Sequence, residues 1–116
     1  MLSPTCIFCK IIQKTIPSTI ITENEHVIVV SDIAPKAPTH YLIIPKIHVE
    51  SVSSLTDKDA EYCWHMMKIA RDLGTKMPAQ AFNLIINNGA AAGQSIMHLH
   101  LHLLAGKNLY EHGLSL

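Results

Sequence analysis

Histidine and leucine alternate over residues 98–103 of this 116-residue chain, and this alternation constrains the fold more than any other feature. In a β-strand, residues two apart lie on the same face, about 6.6 Å from each other. A strand here lines up the imidazoles of His98, His100 and His102 on one face and sends the intervening leucines into the core. The pattern therefore predicts a sheet with one chemically active face.

Three interpretations of this histidine row are open. Neutral imidazole is a common zinc ligand, so neighbouring histidines on one face can bind one metal ion. Imidazole can also act as a nucleophile or move protons near neutral pH, so the row can be catalytic. The third interpretation is a solvated polar face. Solvation explains a single histidine well and three in alternation poorly, which favours the first two interpretations.

Length and composition favour one compact domain, residues 1–116, that needs no disulfides for a core. Hydrophobic residues make up 48% of the chain and charged residues 16%, which leaves apolar surface for a partner. Nine basic and nine acidic residues cancel, so we expect no nucleic-acid polymer as a partner. No run approaches about 18 apolar residues, so we expect no membrane partner and a cytoplasmic location.

The remaining pattern predicts an α+β fold with a five-stranded antiparallel sheet, one short helix and one long helix. The predicted strands are residues 18–22, 27–31, 40–44, 82–87 and 98–104. The short helix covers residues 6–13. The long one starts at Thr56, with Asp59 in a capping box, and ends at Gly74. The connections beside the last strand pair are too short for crossovers, which makes the sheet antiparallel and places the histidine row opposite the long helix.

The long helix has an apolar arc wider than one sheet contact needs. Trp64 and Met67 lie on one stripe of this arc, while Met66 and Leu73 lie on an adjoining stripe. Deep burial within the monomer is one explanation. In so small a domain a second contact is favoured, so the helix predicts a subunit interface.

Cys6 and Cys9 have the spacing with which a turn offers two thiolates to one tetrahedral metal ion. A redox pair is the alternative, although the helix in a strand-helix-strand context that such pairs favour is not evident. His48 and one histidine of the row are available as further ligands. We therefore expect a structural Cys2His2 zinc site.

The loop between Asn87 and Ser95 leads directly into the histidine row. Its glycines let backbone amides approach an anion, and Gln94 and Ser95 add side-chain donors. A hairpin loop that uses glycine only for geometry is the simpler explanation of the loop alone. A phosphate held there would lie beside the imidazoles, as phosphoryl or nucleotidyl transfer requires.

Four further residues are candidates for binding a nucleoside. Asp32, at the end of a predicted strand, can accept hydrogen bonds from ribose hydroxyls. Phe8, Ile11 and Ile33 can wall an apolar pocket for a base. Each of them alone is more often a turn or core residue, so this interpretation depends on the fold bringing them together.

Taken together, these segments resemble the histidine triad family, in its nucleotide-binding branch. The matching segments cover nearly the whole chain: CIFCKII at residues 6–12, DIAPKAPTH at 32–40, PKIH at 45–48 and GQSIMHLHLH at 93–102. The resemblance implies a homodimer in which two five-stranded sheets join, with the long helices at the interface.

The resemblance also implies a site for a purine nucleoside monophosphate unit or an adenylated small molecule. Asp32 would bind the ribose, Phe8, Ile11 and Ile33 the base, and Asn87, Gln94, Ser95 and His102 the phosphate. His100 would be the nucleophile of a nucleoside phosphoramidase-like hydrolase that forms a nucleotidyl-histidine, with a cationic His102 as proton donor and His40 in support. Cys6, Cys9, His48 and His98 would bind zinc.

Two alternatives to this function stay open at this stage. They are a dinucleoside polyphosphate hydrolase and a zinc-containing nucleotide-binding or interaction module with little catalysis. The chain also departs from the family pattern at Met97, where related proteins often have an aromatic residue. Its tail, residues 106–116, lacks the tryptophan-proline ending of the best-known phosphoramidases, so the leaving group is not indicated.

Overall fold

A computed structural model describes residues 2–114 of the chain. It contains two α-helices, α1 (Ile7–Ile12) and α2 (Ala60–Gly74). Its five strands are β1 (Ile20–Glu23), β2 (Val27–Ser31), β3 (Thr39–Pro45), β4 (Asn83–Ile85) and β5 (Leu101–Ala105). Short 3-10 turns connect several of these elements. Within the described range, no helix is long and apolar enough to cross a membrane.

Local sequence signals set the ends of α2. The predicted capping box is present, because the Asp59 carboxylate accepts the backbone N–H of Thr56 at 3.0 Å. A 3-10 turn at Asp57–Asp59 leads into the helix. The helix ends at Gly74, where a Cβ atom would lie 2.3 Å from the ring of Phe82. Only glycine therefore allows that ring to pack against the end of α2.

All strand pairs are antiparallel, and the strand order is β1-β2-β3-β5-β4. This confirms the predicted α+β class with one long and one short helix. In the register of β5, His102 lies between Leu42 of β3 and Ile85 of β4. His102 is thus held on both sides by backbone ladders.

The two faces of the sheet pack against different helices. On one face, Leu99, Leu101 and Leu103 join a core that includes Met66 and Ala70 of α2. On the other face, α1 contributes Phe8 and Ile11 to a second apolar cluster that also contains Ile28, Val30, Leu42 and Ile44. The Phe8 ring contacts His98 and His100 edge to face, with centroids 5.9 and 5.0 Å apart. The histidine row therefore lies opposite α2, as predicted.

The prediction that one strand carries all three histidines was wrong in detail. The regular strand β5 begins only at Leu101, so His98 and His100 precede it. The backbone N–H of Leu99 donates instead to Val49 at 2.7 Å, because this segment runs beside the loop after β3. Burial does not alternate over this segment, since His98, Leu99, His100 and Leu101 are all buried, and His98 is completely buried rather than accessible. The predicted fourth strand is also shorter than expected, at Asn83–Ile85.

Candidate functional site

Cys6, Cys9, His48 and His98 converge although up to 92 residues separate them in sequence. The Sγ atom of Cys6 lies 3.3 Å from Nδ1 of His98. The Sγ atom of Cys9 lies 3.4 Å from Nδ1 of His48 and 3.5 Å from Nδ1 of His98. Sulfur and nitrogen ligands of a tetrahedral zinc ion lie about 3.5 Å apart. The four donor atoms therefore fit the predicted Cys2His2 zinc site.

Hydrogen bonds and burial prepare His98 for this arrangement. Its Nε2–H donates to the backbone carbonyl of Pro45 at 3.0 Å, so Nδ1 is left with the lone pair that faces the two sulfurs. Burial lowers the pKa of His98 from about 6.5 to about 4, which keeps the ring neutral. Burial also raises the pKa of the Cys9 thiol, so metal binding there would release a proton.

His100 is held in one tautomer by the backbone. Its Nδ1–H donates to the carbonyl of His98 at 2.7 Å, so the lone pair of the neutral ring is on Nε2. The edge-to-face contact with Phe8 fixes the ring plane. The ring of His102 lies beside it, with centroids 4.9 Å apart. His100 therefore presents an oriented ring nitrogen that carries a lone pair.

A chain of hydrogen bonds also sets the tautomer of His102. The backbone N–H of Lys36 donates to Nδ1 of His40 at 3.1 Å, so the proton of neutral His40 is on Nε2. That Nε2–H points at Nδ1 of His102, 2.9 Å away, and also lies 3.4 Å from the Asp32 carboxylate. The proton of neutral His102 is therefore on Nε2, the nitrogen that faces away from His40.

The charge predicted for His102 differs from the one in the structure. Burial, with His100 and His40 adding to it, lowers the pKa of His102 to about 4, so the ring is neutral at pH 7 without a bound anion. Burial likewise lowers the pKa of His40, against the opposing charge of Asp32. Sequence could not show this, because it does not reveal how closely the three rings pack. Neutral His102 still offers Nε2–H as a hydrogen-bond donor.

The role of Gln94 as a side-chain donor to phosphate stays a prediction, and its side chain is engaged elsewhere in this structure. Both its amide hydrogens are used within the fold, in bonds to the carbonyls of Glu50 at 2.7 Å and Ile96 at 3.0 Å. Its Oε1 accepts the N–H of Gly89 at 2.8 Å, and the side chain is buried. Gln94 therefore shapes the loop. Gly89 and Gly93 both have φ near +90°, which explains glycine at these two positions.

The structure separates some of the predicted nucleotide-binding residues. Asn87 and His102 line one cavity, whereas the exposed Ser95 lines a different depression beside Cys6. Asp32 lies next to His40 and accepts the N–H of Ala34 at 2.8 Å.

The three predicted base-pocket residues also differ in exposure. Phe8 and Ile11 are buried in the cluster around α1. Ile33, by contrast, is completely exposed, so its predicted place in an apolar wall is not built by the chain alone. The base pocket predicted from these three residues is therefore only partly formed by the fold.

The cavity beside His102 also contains residues that sequence reasoning missed. Its volume is about 440 Å³, and Lys36, Lys107 and His112 contribute to its lining. The Lys107 ammonium donates to the carbonyl of Lys36 at 3.0 Å, which ties the tail to the loop after β2. Lys36 lies within the matching segment at residues 32–40, but nothing there singled out its side chain, and Lys107 and His112 lie outside the matching segments. Their basic character was the only signal, and the neutral net charge concealed it.

Comparisons with known proteins place the chain among relatives of one family. The HIT domain family model matches residues 13–109. The protein called Hit from Bacillus subtilis is 43% identical over 100 residues, covering 85% of this chain and 69% of that protein. An uncharacterised HIT-like protein from Synechocystis is 40% identical, covering 87% and 90%.

Solved structures give the same result. A histidine triad protein from Clostridium difficile has a TM-score of 0.88 at 36% identity, covering 93% of this chain and 96% of its own. A HIT family hydrolase from Clostridium thermocellum has a TM-score of 0.87 at 41% identity, covering 92% and 95%. With the family model matched over most of the chain and relatives this similar, the chain belongs to the HIT (histidine triad) family.

Proposed function

We propose that this chain is a nucleotide-binding hydrolase that cleaves adenosine phosphoramidate-type substrates through a nucleotidyl-histidine at His100. Its similarity to the HIT family hydrolases from Clostridium thermocellum and Legionella pneumophila supports hydrolysis as the reaction class. The observation that carries the proposal is the 2.7 Å bond from Nδ1–H of His100 to the His98 carbonyl. It leaves Nε2 as a free nucleophile beside a second imidazole.

The reaction has two steps. Nε2 of His100 attacks the α-phosphorus, a phosphorus–nitrogen bond to the ring forms, and the bond to the leaving amine breaks. A protonated His102 gives the amine its proton. Water then attacks the phosphorus, its proton returns to His102, and the bond to His100 breaks to release the nucleoside monophosphate.

Binding of the substrate supplies the charge that His102 lacks at rest. A phosphate anion beside His102 raises its pKa from about 4, because an opposite charge favours the protonated ring. A carboxylate oxygen of Asp32 lies within 4.8 Å of the ring nitrogens of His40 and His102 and stabilises the same form. Proton donation is thereby coupled to the presence of substrate.

The nucleotide contacts are proposed for a smaller set than the sequence predicted. Asn87 and His102 share a cavity and would contact the phosphate. Asp32 would bind the ribose, and Phe8 and Ile11, with Ile33, would contact the base. Ser95, in the loop before the row, would also contact the phosphate, although it lines a different depression beside Cys6. Gln94 would act by holding the loop.

The test is replacement of the nucleophile. His100→Gly should lower turnover of adenosine 5′-phosphoramidate by about 10⁴-fold or more, while the Kd for AMP changes only a few-fold. Added free imidazole should restore part of the turnover in His100→Gly, because it fills the space of the missing ring. Turnover of the variant close to the unmodified rate would refute the proposal.

A dinucleoside polyphosphate hydrolase is the second candidate. Lys36 and Lys107 favour it, because both line the cavity beside His102 and could bind additional phosphates. Comparison of kcat/KM for adenosine phosphoramidate and diadenosine tetraphosphate distinguishes the two functions. Lys107→Ala should lower kcat/KM selectively for the polyphosphate if this second candidate is correct.

We also propose that the Cys2His2 cluster binds a structural zinc ion, which would fix α1 and supply no reacting group. The thiols of Cys6 and Cys9 are free, in keeping with the reducing cytoplasm as the expected location. Cys6→Ser should lose zinc from the purified protein, whereas His100→Gly should keep it. If His100→Gly loses the metal as well, the row is a metal site and the chain fits the non-catalytic binding module.

A homodimer is proposed from the surface of α2. Trp64 and Met67 remain 55% and 52% exposed, which is unusual for large apolar side chains on one helix face. The short edge strand β4 offers a further surface for pairing. Analytical ultracentrifugation should give twice the chain mass, and Trp64→Glu should give a monomer.

A further inference from the structure

A second group of potential metal ligands lies on the opposite side of the sheet from the catalytic histidines. His26 immediately precedes β2, and Glu61 and His65 lie four residues apart on the first turns of α2. Residues with that spacing share one face of a helix, so both side chains face the turn that carries His26. None of these residues contributes to the proposed nucleotide site.

The three side chains are close enough to share one ion. One ligand atom from each lies within 4.8 Å of those of the other two. Nε2 of His26 is 3.6 Å from a carboxylate oxygen of Glu61. The rings of His26 and His65 stack with centroids 4.1 Å apart and planes 13° apart, and Tyr62 packs edge to face against His26 at 5.1 Å.

The backbone holds His26 in place. Its N–H donates to the side chain of Asn24 at 2.7 Å, and the N–H of Val27 donates to the same oxygen at 2.9 Å. Its carbonyl accepts the N–H of Lys46 at 2.8 Å. Because α2 is itself anchored on the sheet core, the two halves of the cluster are presented by fixed elements. The backbone positions of the ligands are therefore fixed, and only the side chains have to turn when an ion binds.

Two ring nitrogens of the cluster are buried and unused. Among the described residues, Nδ1 of His26 and Nδ1 of His65 are the buried side-chain nitrogen or oxygen atoms without a hydrogen-bond partner. Buried polar atoms in folded proteins are nearly always satisfied, so two unpartnered imidazole nitrogens in one cluster support a binding role for these rings. In His26 the unpartnered atom is Nδ1, near Glu25, and the other ring nitrogen, Nε2, is the one near Glu61. A cation with open coordination positions fits, because neutral imidazole nitrogen is an electron-pair donor.

We propose that His26, Glu61 and His65 form a binding site for a divalent transition-metal ion, with Zn²⁺ as the probe of choice. Two imidazoles and one carboxylate are a donor set suited to zinc, and three protein ligands leave a fourth position for water. The Glu61 side chain is 71% exposed, which gives an ion a path from solvent. Binding requires the stacked rings to tilt so that one nitrogen of each reaches the ion.

The donor set separates this site from the Cys2His2 cluster. Thiolates select zinc more strongly than imidazole and carboxylate do, so this second ion should bind more weakly and exchange faster. Glu25, with an oxygen 3.9 Å from Nδ1 of His26, adds negative charge next to the cluster. The ion would join the β1–β2 turn to the start of α2.

Equilibrium dialysis of the full-length protein against Zn²⁺ tests the proposal. His65→Ala and Glu61→Gln should each lose one zinc equivalent relative to the unmodified protein, or bind it at least about 10-fold more weakly. Cys6→Ser should lose a different equivalent, so the double variant Cys6→Ser/Glu61→Gln should lose both. Co²⁺ substitution separates the two sites, because only the cysteine site gives thiolate charge-transfer absorption.

Matched controls are His112→Ala and Glu111→Gln, which make the same chemical changes at exposed positions of the tail. Both should keep the zinc stoichiometry of the unmodified protein. If His65→Ala does not fold, the exposed Glu61→Gln change carries the test. Unchanged stoichiometry and affinity in Glu61→Gln and in any folded His65→Ala would overturn the proposal, whatever the phosphoramidase assay shows.

Discussion

His98 and His102 are the two ends of one alternating row, yet the fold gives their nitrogens opposite surroundings. Both nitrogens of His98 are committed, one to the Pro45 carbonyl and the other to the cysteine sulfurs, and the ring is completely buried. His102 uses Nδ1 to accept from His40, and its side chain lines a cavity. Identical residues therefore acquire different chemistry from the partners of each nitrogen, which position in the row alone does not determine.

The largest effect on stability is expected when His98, the buried end of the row, is replaced. His98→Ala leaves a cavity and two thiols without their nitrogen partner, so it should lower the free energy of unfolding by about 3–5 kcal/mol. It should also abolish zinc binding at the Cys2His2 cluster. Urea denaturation and metal analysis measure both effects. A loss below about 1 kcal/mol would contradict the view that this end of the row is structural.

The open end should show the reverse behaviour. His102→Ala should lower kcat for adenosine phosphoramidate by about 10²- to 10⁴-fold, because the leaving amine loses its proton donor. Its free energy of unfolding should change less than that of His98→Ala, since His102 is only partly buried. Steady-state kinetics and urea denaturation on the same preparation test this. Equal destabilisation by the two substitutions would remove the contrast between the ends.

Low pH should lower the free energy of unfolding of the metal-free protein, because His98 is buried in its neutral form. The pKa of His98 is about 4 in the folded chain and near 6.5 when unfolded, so between these values the unfolded state binds more protons. The stability that depends on neutral His98 is complete above about pH 6.5 and is lost as the pH falls towards 4. The total loss in the free energy of unfolding is on the order of 3 kcal/mol. Urea denaturation across this window in the presence of a chelator measures it. A pH-independent stability would contradict the neutral, buried state of His98.

A substitution of Gln94, in the loop before the histidine row, should lower the stability of the fold more than it lowers nucleotide affinity. Gln94→Met removes the partners of two carbonyls and of the Gly89 N–H, so it should cost about 2 kcal/mol of stability. The Kd for AMP should change far less than for Asn87→Ala. Thermal denaturation and calorimetric titration distinguish the two variants. A selective loss of AMP affinity in Gln94→Met would support its predicted role as a phosphate donor.

The smallest effect is expected for His40, which contacts His102 but lies outside the row. His40→Gln should lower kcat by about 10-fold, because His40 sets the tautomer of His102 and does not itself reach the leaving group. The pH profile of kcat should shift as well, which a purely structural role would not cause. An unchanged profile would show that His102 is oriented by other contacts.

Sequence predicted the fold class and the side of the sheet that carries the histidines because both depend on local periodicity. The Leu–His alternation from Leu99 onwards and the capping box at Thr56 are such local signals. Spacing and family resemblance also predicted four residues as a metal site, and the structure brings these four together in a cluster that could hold an ion.

The rest depended on contacts between distant segments. The side-chain amide of Gln94 donates to carbonyls, one of them 44 residues away in sequence. The neutral state of His102 follows from how three rings pack. The start of β5 also depends on a distant residue. The Leu99 N–H donates to the Val49 carbonyl, so Leu99 stays outside the regular ladder. No pattern along the chain encodes these pairings.

The six-residue helix α1 carries Cys9 of the Cys2His2 cluster next to Phe8, whose ring rests against His100. A helix this short has little stability of its own and depends on its tertiary anchors. The contacts of Cys6 and Cys9 with His48 and His98 are such anchors, so their loss would free α1 and with it the Phe8 ring. The order of the cysteine cluster and the orientation of the His100 imidazole are thereby linked through one short helix.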